Sequence, residues 1–341
     1  MVLNIFLGTV YLVAESPTRG WAVEHVASLV CREVASATSP TGATLWEKRQ
    51  DVLDASPEEL RSKPAVTVRL PFTDQELTVV DGRASREWWT NTAAGKWEIE
   101  TFKVFNQEIR PGMVYVGFGE WCGVTGMFAA QRASKAILVD ADPFIFPELR
   151  ENVRRNSPSF GSNMALDNRC IMDKVSTLTM EANGGSGSSF MGQGWNKGMK
   201  KVVVDCLPLW SLLDEYGVSA TTPLFVKIDT EGAEAVIVPS LRTWIAGAAI
   251  KPTIFMSMHE KADTEQKAQI AAVLNMYPYF AVFRGRRGEK NPATVSGADT
   301  GACKSGFVLR NNADGAHFRA DTICAWCDYL VTADGAARSS C

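Results

Sequence analysis

From Met113 onward, short apolar runs alternate with helix-forming stretches, and this alternation constrains the fold more than any other feature of the sequence. Strands made from such runs are apolar on both faces and belong inside a sheet that is covered on both sides. When they alternate with helices, the sheet is mostly parallel and doubly wound, in the α/β class. The runs are MVYV, AILV, LFVKI, TIFMSM and YFAVF, which begin at residues 113, 136, 224, 253 and 279.

The 341 residues divide, by pattern, into an N-terminal extension of helices and a hairpin (1–94), a domain built on the alternating runs (95–332) and a short tail (333–341). Ser56 can cap a helix whose first turn holds Pro57, and residues 63–82 alternate apolar and polar residues around a polar turn, as in a hairpin. Residues 18–62 are predicted to be helical.

The apolar N-terminal stretch MVLNIFLGTVYLVAES admits three interpretations. It is a buried strand or helix, a signal peptide or short anchor that lacks the usual basic region, or a misplaced gene start. A cytoplasmic location is expected unless residues 1–14 are a signal or an anchor, in which case the protein would enter the lumen of the secretory pathway.

Composition narrows the classes of partner. The net charge is −3 and no basic stripe is visible, so no nucleic-acid partner is expected. No apolar run reaches the ~18 residues that a membrane-spanning helix needs. The oligomeric state is not encoded in any feature of the sequence.

Polar residues follow four of the apolar runs at the points where the predicted strands end. In a doubly wound sheet the ligand binds outside the carboxyl ends of the strands, so these endings predict one shared site. They are Gly117, Phe118, Gly119, Glu120 and Trp121 after the first run, Asp140, Ala141 and Asp142 after the second, Asp229, Thr230 and Glu231 after the third, and His259 and Glu260 after the fourth.

The first two endings suit an adenosine. Gly117 and Gly119 lack a Cβ and let a ligand approach the backbone. Asp140 lies about 20 residues further on, where a carboxylate accepts hydrogen bonds from a ribose diol. This arrangement alone does not choose between NAD and S-adenosylmethionine.

The spacing of the turn favours S-adenosylmethionine. A dinucleotide fingerprint has its third glycine three residues after the second, whereas Gly123 comes four residues after Gly119 with bulky residues between them. Glu120 would repel a pyrophosphate but could attract the ammonium of a methionine moiety; alternatively it is a capping or first-turn acid of the next helix. Trp121 either packs in the core or forms a wall of the cofactor site. The predicted cofactor-binding residues are Gly117, Phe118, Gly119, Glu120, Trp121, Gly123, Thr125, Asp140, Ala141 and Asp142.

The string VKIDTEGAE supplies the candidate catalytic residues. Lys227 lies within an apolar strand and needs a partner, which can be an acid of the following helix. Asp229 and Glu231 can flank a substrate hydroxyl or a metal, although Glu231 can equally belong to the first turn of the helix. His259 ends the next strand, unlike His25 and His317. The predicted catalytic set is Lys227, Asp229, Glu231 and His259, and no metal is assigned.

Two further segments leave alternatives open. Glu181–Gly198 is rich in Gly and Ser and is either a lid over the site or a mobile surface loop. The CAWC motif (Cys324 and Cys327) is a disulfide, a pair of thiols, or half of a zinc site with Cys303 and His317.

With these residues identified, the chain resembles the FkbM family of S-adenosylmethionine-dependent methyltransferases from about Gly95 to Cys327. The resemblance is carried by GKWEIETF, by the glycine turn with its second strand (VYVGFGEWCGVTGMFAAQRASKAILVDADP), by LRENVRRN, by LFVKIDTEGAEAVIVPSLRTWI and by IFMSMH. It implies a Rossmann-like methyltransferase that acts on oxygen; family members methylate sugars, polyketide products and other hydroxyls.

The chain departs from the family pattern at two places. The family usually has Asp at the position of Gly117, and Glu-Pro at the positions of Asp140 and Ala141. Asp140 keeps the ribose acceptor with a shorter reach, and Glu120 is the candidate replacement for the missing acid.

The resulting hypothesis is O-methylation of a hydroxyl on a small molecule or sugar. His259 or Asp229 would take the hydroxyl proton, Glu231 would orient the acceptor, and Lys227 would fix the acids. The alternatives are a protein of this fold that binds S-adenosylmethionine or a nucleotide without catalysis, and an NAD(P)-dependent reductase. The sequence does not specify the methyl acceptor.

Overall fold

The computed structural model describes residues 4–6, 9–11, 56–160, 163–189, 199–259, 262–284, 310–312, 317–324 and 327–334. Its contacts divide the chain into two compact units, Met1–Asp51 and Val52–Cys341. In the first unit, strands β1 (Asn4–Phe6) and β2 (Thr9–Tyr11) pair antiparallel. The helix predicted for residues 18–62 lies mostly outside the described residues, as does His25.

The second unit is built on an eight-stranded, mostly parallel sheet, and the predicted Rossmann-like α/β fold is confirmed. Its strands follow the order β14-β13-β15-β12-β11-β5-β6-β7. They are β5 (Val114–Phe118), β6 (Lys135–Val139), β7 (Met164–Asp167), β11 (Leu224–Ile228), β12 (Thr253–Met258), β13 (Tyr279–Arg284), β14 (Arg310–Asn311) and β15 (Cys327–Thr332). The five strands from β7 to β12 are parallel to one another, and every residue of β5 and β11 is buried.

One strand is inserted where the sequence pattern gives no sign of it. β15 pairs antiparallel with both β12 and β13, so the YFAVF run does not lie beside TIFMSM. The dinucleotide-binding order 3-2-1-4-5-6 is therefore interrupted by an antiparallel strand between its fifth and sixth members.

Helices cover the sheet and connect its strands. Those after the glycine turn are α4 (Val124–Ala130), α5 (Phe146–Phe160), α6 (Leu209–Glu215), α7 (Glu234–Ser240), α8 (Arg242–Gly247) and α9 (Thr264–Leu274), with a 3₁₀ turn at Ala320–Thr322. Asp263 begins α9 with a reciprocal capping box that includes Gln266. Among the described helices, none has the length and apolar character needed to cross a membrane.

The segment of residues 57–108, which precedes the sheet, belongs to the same compact unit as the sheet. The predicted hairpin is present as β3 (Ala65–Arg69) and β4 (Glu76–Val80), between the helices α1 (Pro57–Ser62), α2 (Arg86–Ala93) and α3 (Ile99–Glu108). Two buried asparagines of α5 hold this hairpin, because Asn152 Oδ1 accepts from the backbone N–H of Val80 at 2.7 Å and Asn156 Oδ1 from that of Thr78 at 2.9 Å. Residues 57–94 thus share one unit with the sheet.

A second, three-stranded sheet has the order β8-β10-β9. Its strands are β8 (Cys170–Ile171), β9 (Ser176–Ala182) and β10 (Lys200–Leu207). A disulfide joins Cys170 to Cys206 across the directly paired positions of β8 and β10. This sheet brings residues 169–189 to the carboxyl edge of the main sheet.

Candidate active site

The four predicted strand endings meet at one partly open cavity, which encloses about 1080 Å³ of empty space when the solvent at its mouth is included. It lies where β5 and β11 are neighbours, which is the point at which the strand order reverses. Twelve of the fourteen predicted site residues line it: Phe118, Glu120, Trp121, Gly119, Thr125, Asp140, Ala141, Asp142, Lys227, Asp229, Glu231 and His259. Gly117 and Gly123 are not among the lining residues. Glu260 lies outside the described residues.

The glycines of the turn make room for the protein itself. A Cβ on Gly119, whose φ is +71°, would collide with the backbone oxygen of Asp229. A Cβ on Gly123, whose φ is +89°, would press on Leu149 of α5. The space expected for a ligand beside Gly117 is filled by the Glu120 carboxylate and by Tyr115 Oη.

Glu120 is folded back beneath the turn, with only 1% of its surface exposed. Its Oε1 accepts from Tyr115 Oη at 2.6 Å. Its Oε2 accepts from Thr125 Oγ1 at 3.1 Å and from the backbone N–H of Gly126 at 2.7 Å. Gly126 is the third residue of α4, so the Glu120 carboxylate satisfies one of the free N–H groups at the start of this helix. The N-cap position itself is Gly123, so Glu120 is neither the N-cap residue nor a first-turn acid. The carboxylate also occupies the place of the acid that is missing at Gly117.

Asp140 and Asp142 shape the end of β6. Asp140 Oδ2 accepts from the backbone N–H of Trp121 at 2.6 Å, and Oδ1 accepts from that of Asp142 at 2.9 Å. Burial and the neighbouring charge of Asp142 raise the pKa of Asp140 to about 7. Trp121 has a left-handed backbone, with φ of 48°, which turns its indole to the cavity wall.

The first half of the Gly- and Ser-rich segment is bound to this wall. Asp142 Oδ2 accepts from the backbone N–H of Gly184 at 2.7 Å and from Ser188 Oγ at 2.5 Å. Trp121 Nε1 donates to the carbonyl of Gly184 at 3.0 Å, and Ser189 Oγ donates to that of Glu231 at 2.6 Å. Residues 190–198 lie outside the described residues, so a lid formed by the whole segment stays a prediction.

Lys227 joins the two central strand ends. Its Nζ donates to the carbonyl of Gly119 at 3.0 Å and lies 2.9 Å from Asp229 Oδ2. Burial alone would lower the pKa of Lys227, but the carboxylates of Asp229 and Glu120 outweigh it and raise the pKa. Its partner is therefore the strand-end Asp229, not an acid of the following helix.

Asp229, Glu231 and His259 form a compact cluster beside this pair. His259 Nε2 lies 3.4 Å from Asp229 Oδ1 and 3.6 Å from Glu231 Oε1, while its Nδ1 lies 3.5 Å from Glu234 Oε1. Burial works against the charged imidazole, yet the three carboxylates raise the pKa of His259 to about 10. Because this imidazole already holds a proton, the cluster favours a carboxylate over His259 as the group that receives one.

The loop that carries Glu231 has an unusual backbone. Glu231 adopts a left-handed φ of 52°, and Gly232 follows at 113°. The fully buried Glu234 holds this loop by accepting from the backbone N–H groups of Thr230 at 2.7 Å and Gly232 at 3.0 Å. A non-glycine residue in this region costs about 1–3 kcal/mol and commonly marks a functional site.

A sequence profile of the methyltransferase FkbM domain matches residues 112–282, just over half of the chain and nearly the whole alternating region. The chain belongs to the FkbM methyltransferase family. The predicted family and the prediction of S-adenosylmethionine as the cofactor are thereby confirmed, and this cofactor disfavours the reductase alternative. No curated protein matches this FkbM methyltransferase.

Solved structures similar to this FkbM methyltransferase include Trm5b from Pyrococcus abyssi, the 23S rRNA methyltransferase ErmE and an rRNA methylase from Streptococcus thermophilus. Their sequence identities are 13%, 14% and 10%, with TM-scores of 0.33, 0.28 and 0.33. The matches cover 67%, 56% and 69% of this chain, and 53%, 61% and 97% of those chains. The chain thus spans about half of Trm5b and three fifths of ErmE.

The FkbM site includes a wall that the sequence analysis missed. Trp88, Trp97 and Glu98 reach the cavity from α2 and from the start of α3, and Trp88 packs edge-to-face on Trp121 at 4.8 Å between ring centroids. Glu98 has a left-handed φ of 39° and accepts from Thr101 Oγ1 at 3.3 Å. Loss of bulk water and the negative charge of Asp229 raise the pKa of Glu98 to about 8. Its place within GKWEIETF was the signal available in the sequence.

The cysteines of this FkbM chain form two disulfides among the described residues. The CAWC pair is joined as Cys324–Cys327, so its sulfurs are not available as thiolate ligands of zinc. His317 packs on Phe280, with 4.2 Å between ring centroids, and Cys303 lies outside the described residues. The Cys170–Cys206 disulfide has no short spacing in the sequence and was not foreseen.

Proposed function

We propose that this protein transfers a methyl group from S-adenosylmethionine to a hydroxyl of a small molecule. The observation that carries this proposal is the position of the Asp229, Glu231 and His259 cluster, which shares a cavity with the glycine turn and Asp140. Donor and acceptor would then be bound side by side, as direct transfer between them demands.

The residues of the cavity suit the donor. When bound, S-adenosylmethionine supplies an electrophilic methyl group on a positively charged sulfur. Asp140 is placed to accept hydrogen bonds from the ribose of S-adenosylmethionine. Glu120 is only 1% exposed and its carboxylate is turned beneath the backbone to Tyr115 and Gly126. Glu98 is therefore the better placed carboxylate for the ammonium of the methionine tail. The lining holds six acids against three basic groups, an excess that suits the sulfonium and ammonium of a donor whose net charge, with its carboxylate, is +1.

The cluster would act on the acceptor in two ways. First, its polar atoms hold the hydroxyl oxygen in line with the carbon–sulfur bond, and alignment of this kind can contribute about 7–11 kcal/mol to lowering the barrier. Second, as the oxygen–carbon bond forms and the carbon–sulfur bond breaks, the hydroxyl proton passes to a carboxylate of Asp229 or Glu231. A positioned base of this kind is worth about 10²–10⁴-fold in rate. Lys227 fixes Asp229 in the orientation required.

The lining supports a neutral or cationic acceptor. Glu98, Glu120, Asp140, Asp142, Asp229 and Glu231 line the cavity, against Arg169, Lys227 and His259 as basic groups. This balance disfavours a chain of phosphates, which needs a basic surface. The indoles of Trp88 and Trp97, whose planes are inclined by 63°, offer apolar faces to a ring.

The test is transfer of a labelled methyl group from S-adenosylmethionine to a panel of sugars, phenols and aliphatic alcohols, with total RNA as a further arm. We expect one hydroxyl class to be methylated, with turnover reduced about 10²-fold or more in Asp229→Asn and unchanged in Glu76→Gln, whose carboxylate pairs with Arg69 on the exposed hairpin. Methylation of RNA alone would contradict the acceptor class. Tight binding of S-adenosylhomocysteine without transfer to any acceptor would favour a binding protein.

A further inference from the structure

The donor atoms of Asp229, Glu231 and His259 converge at the cavity wall. One ligand atom from each side chain lies within 4.8 Å of the others. The separations of Nε2 from Asp229 Oδ1 and Glu231 Oε1, 3.4 and 3.6 Å, exceed the 2.7–3.2 Å range of a direct N–H···O hydrogen bond.

These separations are close to those of a shared cation site. Two adjacent ligands about 2.1 Å from an octahedral ion lie about 3.0 Å apart, so a bound cation would draw the two oxygens about 0.5 Å closer to Nε2. The three side chains are spaced as if around one point, and the group is half-buried at the cavity wall rather than on an open surface.

The atoms behind the cluster are arranged to orient it. Lys227 engages Asp229 Oδ2, which leaves Oδ1 directed at the imidazole. Glu234 lies 3.5 Å from the other ring nitrogen of His259, the carboxylate–histidine pairing that typically supports a metal-ligating imidazole. Glu231 is brought into place by a left-handed backbone that Glu234 braces through Thr230 and Gly232.

We propose that Asp229 Oδ1, Glu231 Oε1 and His259 Nε2 bind a divalent cation of the Mn²⁺ class, whose remaining coordination positions face the cavity. The cation replaces the proton of the imidazole, which leaves as the ion binds, because a metal-ligating histidine is neutral. Two carboxylates and one imidazole form a mixed oxygen and nitrogen set, which suits Mn²⁺ better than Ca²⁺. The cation's role, to hold the acceptor oxygen beside the donor, rests on the proposed function; its binding does not.

The experiment titrates the purified full chain, stripped with a chelator, with Mn²⁺ alone and follows free Mn²⁺ by electron paramagnetic resonance. We expect one ion per chain, with affinity reduced at least tenfold in Asp229→Asn, Glu231→Gln and His259→Asn. Glu76→Gln is the matched control and should bind as the unaltered protein does. Binding of S-adenosylhomocysteine, measured on each variant, shows that the fold is intact.

Two results would overturn the assignment. One is that the unaltered protein binds no Mn²⁺ at millimolar concentration, and the other is that the three variants bind Mn²⁺ as tightly as the unaltered protein does. These failures are distinguishable from failure of the proposed function. A chain that binds no Mn²⁺ but methylates a hydroxyl refutes the cation alone, whereas a chain that binds Mn²⁺ and methylates nothing refutes the proposed reaction and leaves the site in place.

Discussion

The carboxylate of Glu120 takes the place of the acid that the family carries at position 117, and this substitution can be tested by exchanging the two. Glu120→Ala would leave Tyr115 Oη, Thr125 Oγ1 and the backbone N–H of Gly126 without their acceptor. At about 1–3 kcal/mol for each of these three unsatisfied buried groups, the free energy of unfolding should fall by roughly 3–9 kcal/mol. Gly117→Asp alone would force a second carboxylate into the occupied space, at a cost of about 3–5 kcal/mol for a buried uncompensated charge.

The double variant should be more stable than the sum of the two single losses predicts. In Gly117→Asp with Glu120→Ala, the new carboxylate can enter the vacated space and accept from the same donors. We expect a coupling of at least about 3 kcal/mol, well above the ~0.5 kcal/mol scatter of independent sites. Urea unfolding of the four proteins gives the cycle. Glu120→Gln replaces Glu120→Ala if the latter does not fold. Additive losses within ~0.5 kcal/mol would refute the shared position.

Three further outcomes are expected. The pKa of Asp140 is about 7, and its ionised form accepts hydrogen bonds from the ribose hydroxyls. Calorimetry should therefore show that S-adenosylhomocysteine binds about tenfold more weakly at pH 6 than at pH 8. An equally steep pH dependence in Asp140→Asn would contradict this. Glu98→Gln should weaken S-adenosylhomocysteine binding about 10- to 100-fold, with Glu100→Gln as the matched control. Binding of 5′-methylthioadenosine, which lacks the amino-acid tail, should be unaffected, and equal losses for both ligands would remove Glu98 from the tail site. Reduction of the Cys170–Cys206 disulfide, which joins residues 36 apart, should lower the free energy of unfolding by about 4 kcal/mol. The variant with serine at both positions should lose much less stability in reductant. Equal losses in the two proteins would mean that this disulfide is not the source of the stability.

The sequence was sufficient for the parallel core of the fold because each of those strands is a local signal. β5, β6, β11 and β12 are short apolar runs followed by polar residues, and the geometry of a parallel sheet alone brings their ends together. The insertion of β15 was not predictable in this way. The sequence of β15 does not show that it lies between β12 and β13, because an apolar run encodes neither the neighbours nor the direction of its strand.

Side-chain direction explains what the site prediction missed. Glu120 was correctly placed at the end of β5, but no pattern shows that its carboxylate turns under the backbone to Gly126 instead of out to a ligand. Glu98 precedes the sheet by 16 residues, so only the packing of α3 brings it to Asp229. The disulfide between Cys170 and Cys206 depends likewise on the pairing of β8 with β10.

A crystal structure with S-adenosylhomocysteine bound would locate both ends of the cavity in one measurement. We expect the ribose within hydrogen-bond distance of Asp140, the amino-acid tail beside Glu98, and the sulfur directed at Asp229, Glu231 and His259. A ligand bound away from Asp140, or one whose sulfur points away from that cluster, would contradict the assignment of the donor and acceptor ends of the cavity.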